Sequence, residues 1–428
     1  MQPGTGPSPA SPASRLTMPL CFLVAVLEGY DLQVISSAGP QLRAAMNLSP
    51  GQIGWFFSAS LIGLAFGAIA GGWMADRFGR KPALIGSVLA LGIFTVATAY
   101  AYNFESLLVI RILAGVGLGG AMPTLIALVA EVSGGGKTTS AVTTMICGQP
   151  TGGIISALVG QTIASHYGWQ SLFLIGGALT ILVAPLLVWG LPETKPGGSA
   201  HGRGQGGGGA KALTTAQALF HDGRAAGTVL LWLAFIVTLA LLSVLLSWTP
   251  LLVMGKGLPR FVGLNAIIAL NVGGIIGGIA ISRLIDRHGV RWPMLGLYLT
   301  TAASLFVFAH TQTPAALLLV AGLVGFGVLG AQFSLYGVAP RLYPLAGRGS
   351  GVGIAVAMGR IGSVLGPILI GGFIGRGSSE NQAVLVMAPV ALVAGLLILA
   401  LTTARKTDLE GGAAAGAREA AKAPQGAA

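Results

Sequence analysis

The chain has 428 residues, 54% hydrophobic and 8% charged, with a mean hydropathy of +0.81; no soluble core absorbs that much apolar surface, so a helical protein with several membrane spans is expected. The formal charge of +12 suggests nucleic acid, but the basic residues form short clusters between apolar runs and no continuous stripe, so membrane topology accounts for them and a nucleic-acid partner is excluded. Cys21 and Cys147 both fall in apolar runs, which argues against a disulfide framework and a metal site; neither metal nor cofactor is expected.

Residues 1–17 are rich in Pro, Ser and Gly and are expected to form a disordered tail. The apolar run that follows is too long for a signal-peptide core and lacks a convincing cleavage site, which predicts an uncleaved first span. Apolar runs of about 20 residues then predict twelve spans, near 18–40, 53–75, 83–103, 107–130, 139–164, 170–191, 229–250, 263–284, 293–311, 315–337, 350–373 and 382–403. Between the sixth and seventh lies 192–228, which contains HGRGQGGGGAK and reads as a flexible linker. The expected domains are therefore bundles at 18–191 and 229–403, joined by the linker, with a second disordered tail at 404–428. The fold class is all-α membrane protein, with twelve transmembrane helices in two six-helix bundles.

Basic residues orient this layout. Of the 24 lysines and arginines, only Arg43, Lys256, Arg260 and Arg376 fall outside when the N-terminus is cytoplasmic, and Arg111 and Arg360 fall within spans. The remainder lie on the cytoplasmic side, which predicts both termini there. The seven tryptophans, Trp55, Trp73, Trp169, Trp189, Trp232, Trp248 and Trp292, sit near span ends and are expected at the headgroup boundary.

An internal repeat runs at an offset of 210 residues: Asp76-Arg77-Phe78-Gly79 maps to Asp286-Arg287-His288-Gly289, Gly115, Gly117 and Gly120 map to Gly325, Gly327 and Gly330, and Gly152 maps to Gly362. Two halves repeated in the same orientation are related by an axis along the membrane normal; in transporters of that kind the substrate binds between them. Gly115, Gly117 and Gly120 also satisfy a dinucleotide fingerprint, which is rejected because it sits inside an apolar span with no preceding strand.

The first span carries two carboxylates, Glu28 and Asp31. An ionisable group at membrane depth is unfavourable unless paired, neutralised or wetted, and by default marks an ion or substrate path. Spaced i and i+3, the two share a helix face. Arg111 lies about 10 Å and Asp31 about 13 Å below the outer ends of their spans at the helical rise, so the two can meet. Arg360 falls near the midplane with no acid at similar depth in the second half; an uncompensated guanidinium there suits a carboxylate ligand. All five histidines lie near span ends or in loops, which leaves proton carriage to the carboxylates. Gln149 before Pro150, and Gln332 with Phe333 and Tyr336, add polar and aromatic groups to spans; they could bind substrate or a neighbouring helix. The proline is expected to kink the fifth span.

GGWMADRFGRKP at 71–82 and RLIDRHGVR at 283–291 resemble the two copies of the loop signature of the major facilitator superfamily. In this segment Gly72 is expected to permit close helix contact, Asp76 to accept from helix-terminal amides, and Arg77, Gly79 and Arg80, with Asp286 and Arg287 in the second copy, to form a gating scaffold. RILAGVGLGGAMP at 111–123 is similar to the superfamily's fourth-helix motif, whose arginine is associated with proton coupling. LEGYDLQ at 27–33, GAQFSLYGVAPRLYPLAGRGSGVG at 330–353 and AMGRIGSVLGPILIGG at 357–372 resemble the aromatic acid:proton symporter family, most nearly its 3-hydroxyphenylpropionate-transporting members. Glu28 stands where much of that family has Asp, the 131–137 loop lacks the usual arginine, and Thr194 takes the place of a common serine. Gln149-Pro150-Thr151-Gly152-Gly153 lacks the antiporter pattern of the superfamily, which counts against export.

The resemblance implies a transporter in a bacterial inner membrane and not an enzyme, importing a small aromatic carboxylate such as 3-hydroxyphenylpropionate or benzoate by proton symport. The alternatives are a carrier of another organic acid or metabolite and a proton-coupled exporter. Glu28, Asp31 and Arg111 would couple the proton, and Arg360, Tyr30, Gln149, Gln332, Phe333 and Tyr336 would hold the substrate. The expected partners are substrate, protons and lipid, with the protein a monomer.

Overall fold

A computed structural model describes residues 12–133, 138–191, 215–221, 223–344 and 347–404. All regular secondary structure among them is helical. The chain divides into two compact units, Met1–Met46 with Ala59–Ser199, and Asn47–Ser58 with Ala200–Ala428.

The first unit is built from α1 (Pro12–Met46), α2 (Pro50–Phe78) from Ala59 onward, α3 (Arg80–Thr98), α4 (Phe104–Val132), α5 (Thr138–Ile146), α6 (Gly148–Thr162), α7 (Ala164–Tyr167) and α8 (Gln170–Gly190). The second holds α9 (Thr215–Phe220), α10 (Arg224–Met254), α11 (Arg260–His288), α12 (Arg291–His310), α13 (Pro314–Leu342), α14 (Arg348–Gly375) and α15 (Glu380–Ala404). The opening turns of α2 group with this second unit, where Ser58 Oγ donates to the Val364 carbonyl at 2.7 Å and Phe57 meets Trp248 edge-on at 5.4 Å.

Among the described residues, eleven helices are long and apolar enough to cross a membrane. The fifth expected span is the exception, because it is divided at Cys147 into α5 and α6. Pro150 brings no N–H to the Ile146 carbonyl four residues back, and its ring crowds that carbonyl, so the helix ends there. One residue on, the Thr151 hydroxyl donates to the Cys147 carbonyl at 2.9 Å.

The repeat reappears as packing. A Cβ at Gly63 would collide with the carbonyl of Ile112, and one at Gly273 with that of Gly322; Gly115 meets Ser60 and Gly325 meets Leu270; Gly152 meets Val26 and Gly362 meets Ile236. Every contact pair is displaced by the same 210 positions. Small residues let backbones approach where lipid supplies no hydrophobic drive between helices, and the two units have kept the same points of approach. Gly79 and Gly289, which join the second helix of each unit to the third, both have positive φ, at 94° and 77°, a region open to glycine with little steric cost.

Several expectations change. α1 begins at Pro12, inside the expected tail, and α9 with the start of α10 occupies the end of the expected linker. Residues 1–11, 192–214 and 405–428, where most of the tails and linker were expected, lie outside the described residues, as does the 134–137 loop. Trp169 and Trp248 are buried and do not join a headgroup belt, whereas Trp73, Trp189 and Trp292 are well exposed. Gly72 is not a point of close approach: a Cβ there would meet nothing within 4 Å, while at Gly71 it would collide with Gly120.

Candidate coupling site in the first unit

α1 packs against α6 along Val26, Gly29 and Tyr30, and Gln33 fills the space beside Gly153. At the helical period this turns Glu28 and Asp31 to the opposite side, and both are buried, Glu28 fully. α4 spends its glycine face on α2, through Gly115 and Gly119, and on α3, through Gly117. Its remaining flank carries Arg111 to α1.

The structure brings Asp31 and Arg111 together. Nη1 of Arg111 donates to Oδ1 at 3.0 Å and Nη2 to Oδ2 at 2.9 Å, a two-pronged pair, and Nη2 also reaches the Asp31 backbone carbonyl at 3.3 Å. Thr95 of α3 adds a hydroxyl donor to Oδ1 at 2.7 Å. The guanidinium carbon lies 5.7 Å from the centre of the Phe173 ring of α8, so an aromatic face covers the cation. Four helices thus meet at one ion pair. A buried pair of this geometry is a poor general stabiliser, but removing one partner leaves a charge stranded and costs about 3–5 kcal/mol.

Thr95 and Phe173 escaped the sequence reading. A threonine in an apolar span more often bonds its own helix, and a phenylalanine in one carries no polar mark. The only signal was the second-order one that a buried carboxylate accepts more hydrogen bonds than one arginine supplies.

Other expected site residues scatter. Tyr30 is buried, its hydroxyl donating to the Leu172 carbonyl at 2.9 Å and its ring set against Gly176. Gln149 is half-buried, its backbone in close approach to Gly29. Asp76 is exposed and accepts no hydrogen bond from a described residue, so it does not cap a helix; Arg77 lies over Trp73 and Phe78, and Arg80 is half-buried. In the second unit, Asp286 pairs with Arg341 at 3.3 Å on an exposed surface, and Arg287 is exposed.

Arg360 of α14 is half-buried, and among the described residues no carboxylate or carbonyl is hydrogen-bonded to it. Phe333 packs on Gly278, and Tyr336 lies 5.7 Å from Phe235 of α10. Gln332 is buried, and Phe235 in turn packs against Gly359, beside Arg360. The charges inside the spans do not repeat, although those of the loop signature do. Asp31 and Arg111 correspond to Leu241 and Ala321, both buried, and Arg360 corresponds to Pro150.

The sequence pattern of the Major Facilitator Superfamily matches residues 21–329 and 259–427. The chain belongs to that superfamily. It is 38% identical over 400 residues to the 3-(3-hydroxy-phenyl)propionate transporter of Escherichia coli, covering 93% of this chain and 97% of the relative. It is 31% identical over 421 residues to the 4-hydroxybenzoate transporter PcaK of Pseudomonas aeruginosa, covering 91% and 93%. Among solved structures, a D-xylose-proton symporter superposes with a TM-score of 0.73 at 18% identity, over 89% of this chain and 96% of that one. A bacterial homologue of the human lysosomal transporter Spinster superposes at 0.75 and 18% identity, over 94% and 99%. These structures fix the fold. The chain is therefore a multi-pass membrane protein of a transporter family, not an enzyme.

Proposed function

We propose that this chain imports an aromatic carboxylate by proton symport across the bacterial inner membrane, as a monomer with both termini in the cytoplasm. The observation that carries the reading is the buried Asp31–Arg111 pair, held by Thr95 and confined to one unit. A proton on Asp31, or shared with Glu28, weakens the tie to Arg111. The substrate carboxylate then docks on Arg360, which has no acid partner among the described residues, with its ring against Phe333 or Tyr336. With only the proton or only the anion aboard, the buried charge is unbalanced and exchange between the two sides is slow. The likeness to transporters of 3-(3-hydroxy-phenyl)propionate and 4-hydroxybenzoate supports the substrate class. The motif from Asp76 to Arg80, with Asp286 and Arg287, serves gating in this scheme.

The test is uptake of radiolabelled 3-hydroxyphenylpropionate and benzoate in cells expressing the chain, with and without a protonophore. Wild-type accumulation is expected to collapse with the protonophore, and to fall at least about 10-fold in Asp31→Asn and Arg360→Ala with the protein still in the membrane. Accumulation unchanged by both substitutions would overturn the mechanism, and efflux in place of uptake would overturn the direction.

A further inference from the structure

Gln332 presents an unusual problem for a membrane helix. It is 3% exposed, yet its Oε1 has no hydrogen-bond partner among the described residues. Nor is any hydrogen bond formed there by its amide nitrogen. A buried polar group left unsatisfied is costly, and a leucine at this position would avoid the loss.

The surroundings explain what the amide faces. α13 lays Gly325, Leu329 and Phe333 against α11 and Gly327 against α12. Gln332 and Tyr336, one turn apart, share the flank beside those contacts, and Tyr336 sits against the ring of Phe235. The amide therefore lies one turn from a pair of aromatic rings, its buried oxygen without a partner among the described residues.

We infer that Gln332 reads a hydroxyl group on the substrate's ring, and so selects hydroxylated aromatic acids over unsubstituted ones. The inference rests on the proposed aromatic carboxylate substrate and adds the group that distinguishes members of that class. A phenol donates to Oε1 or accepts from Nε2, whereas an unsubstituted ring leaves both atoms of a buried amide without a partner. A site built to bond a hydroxyl discriminates against the analogue lacking it far better than an apolar pocket discriminates by size. Arg360 fixes the carboxylate of either acid equally, so the choice between them falls to the ring end.

The experiment is competition against uptake of labelled 3-hydroxyphenylpropionate in cells expressing the full chain. The unlabelled competitors are the same acid and 3-phenylpropionate, which lacks only the hydroxyl. In the wild type the hydroxylated acid should compete about 10-fold better or more. In Gln332→Met, an unbranched side chain of similar length, the two should compete within about twofold of each other, with 3-phenylpropionate no weaker than before. Equal competition in the wild type overturns the inference, as does an advantage that survives in Gln332→Met. Equal competition in the wild type is decisive without any variant, and Gln332→Leu, expected to lose the preference in the same way, supplies the second arm if Gln332→Met fails to accumulate. Equal competition with uptake intact leaves the proposed function standing, whereas uptake of neither acid by the wild type overturns both.

Discussion

Asp31 accepts from two residues on different helices, and those donors are not equivalent. Arg111 supplies charge and a planar fork, while Thr95 supplies one hydroxyl. Arg111→Lys keeps the charge but loses the two-pronged geometry, so uptake should fall at least about 10-fold with the protein still folded. Thr95→Val removes only the hydroxyl at nearly constant volume; a net hydrogen bond to a charged group contributes about 1.5–3 kcal/mol. Its expected signature is a displaced pH profile of uptake with protein abundance near wild type, and an unmoved profile would show that Thr95 takes no part in coupling. Glu28 and Asp31 were legible in the sequence because a carboxylate in an apolar run is conspicuous. Thr95 and Phe173 were not, because their importance depends on facing Asp31 and Arg111 across 64 and 62 positions of chain.

At the scale of the helix, proline and glycine act through their neighbours. Pro40 and Pro250 stay inside unbroken helices, whereas the fifth span divides ahead of Pro150. Residue type alone therefore did not fix which proline breaks a helix. Gly71 and Gly72 make the same point, for they are adjacent and alike in sequence but only Gly71 faces the α4 backbone. Gly71→Leu should lower thermal stability in detergent by an amount typical of overpacking, about 1–3 kcal/mol or more. Gly72→Leu should change it by less than about 0.5 kcal/mol, and thermal unfolding monitored by size-exclusion chromatography separates the two. Equal loss in both would contradict the packing described.

Across the whole molecule the glycine contacts repeat and the charges inside the spans do not. Gly152→Leu and Gly362→Leu, which strike equivalent contacts at Val26 and Ile236, should therefore reduce folded protein to similar extents, measured as the monodisperse fraction after solubilisation. A tolerated substitution in one unit alone would mean that the equivalence ends at the backbone. The sequence by itself determined the span pattern, the 210-residue repeat, the superfamily likeness and the positions of intramembrane charge, because each is a property of composition or spacing read along the chain. Only the tertiary structure decided which face of each helix met which neighbour: that Thr95 and Phe173 complete the ion pair, that Trp248 is buried and that Gly71 makes the close contact. The physical reason is that lipid and protein interior are both apolar, so a membrane helix needs no hydrophobic stripe to record its orientation. Its azimuth is set by shape and by the few polar groups that find partners, and both exist only once the helices have met.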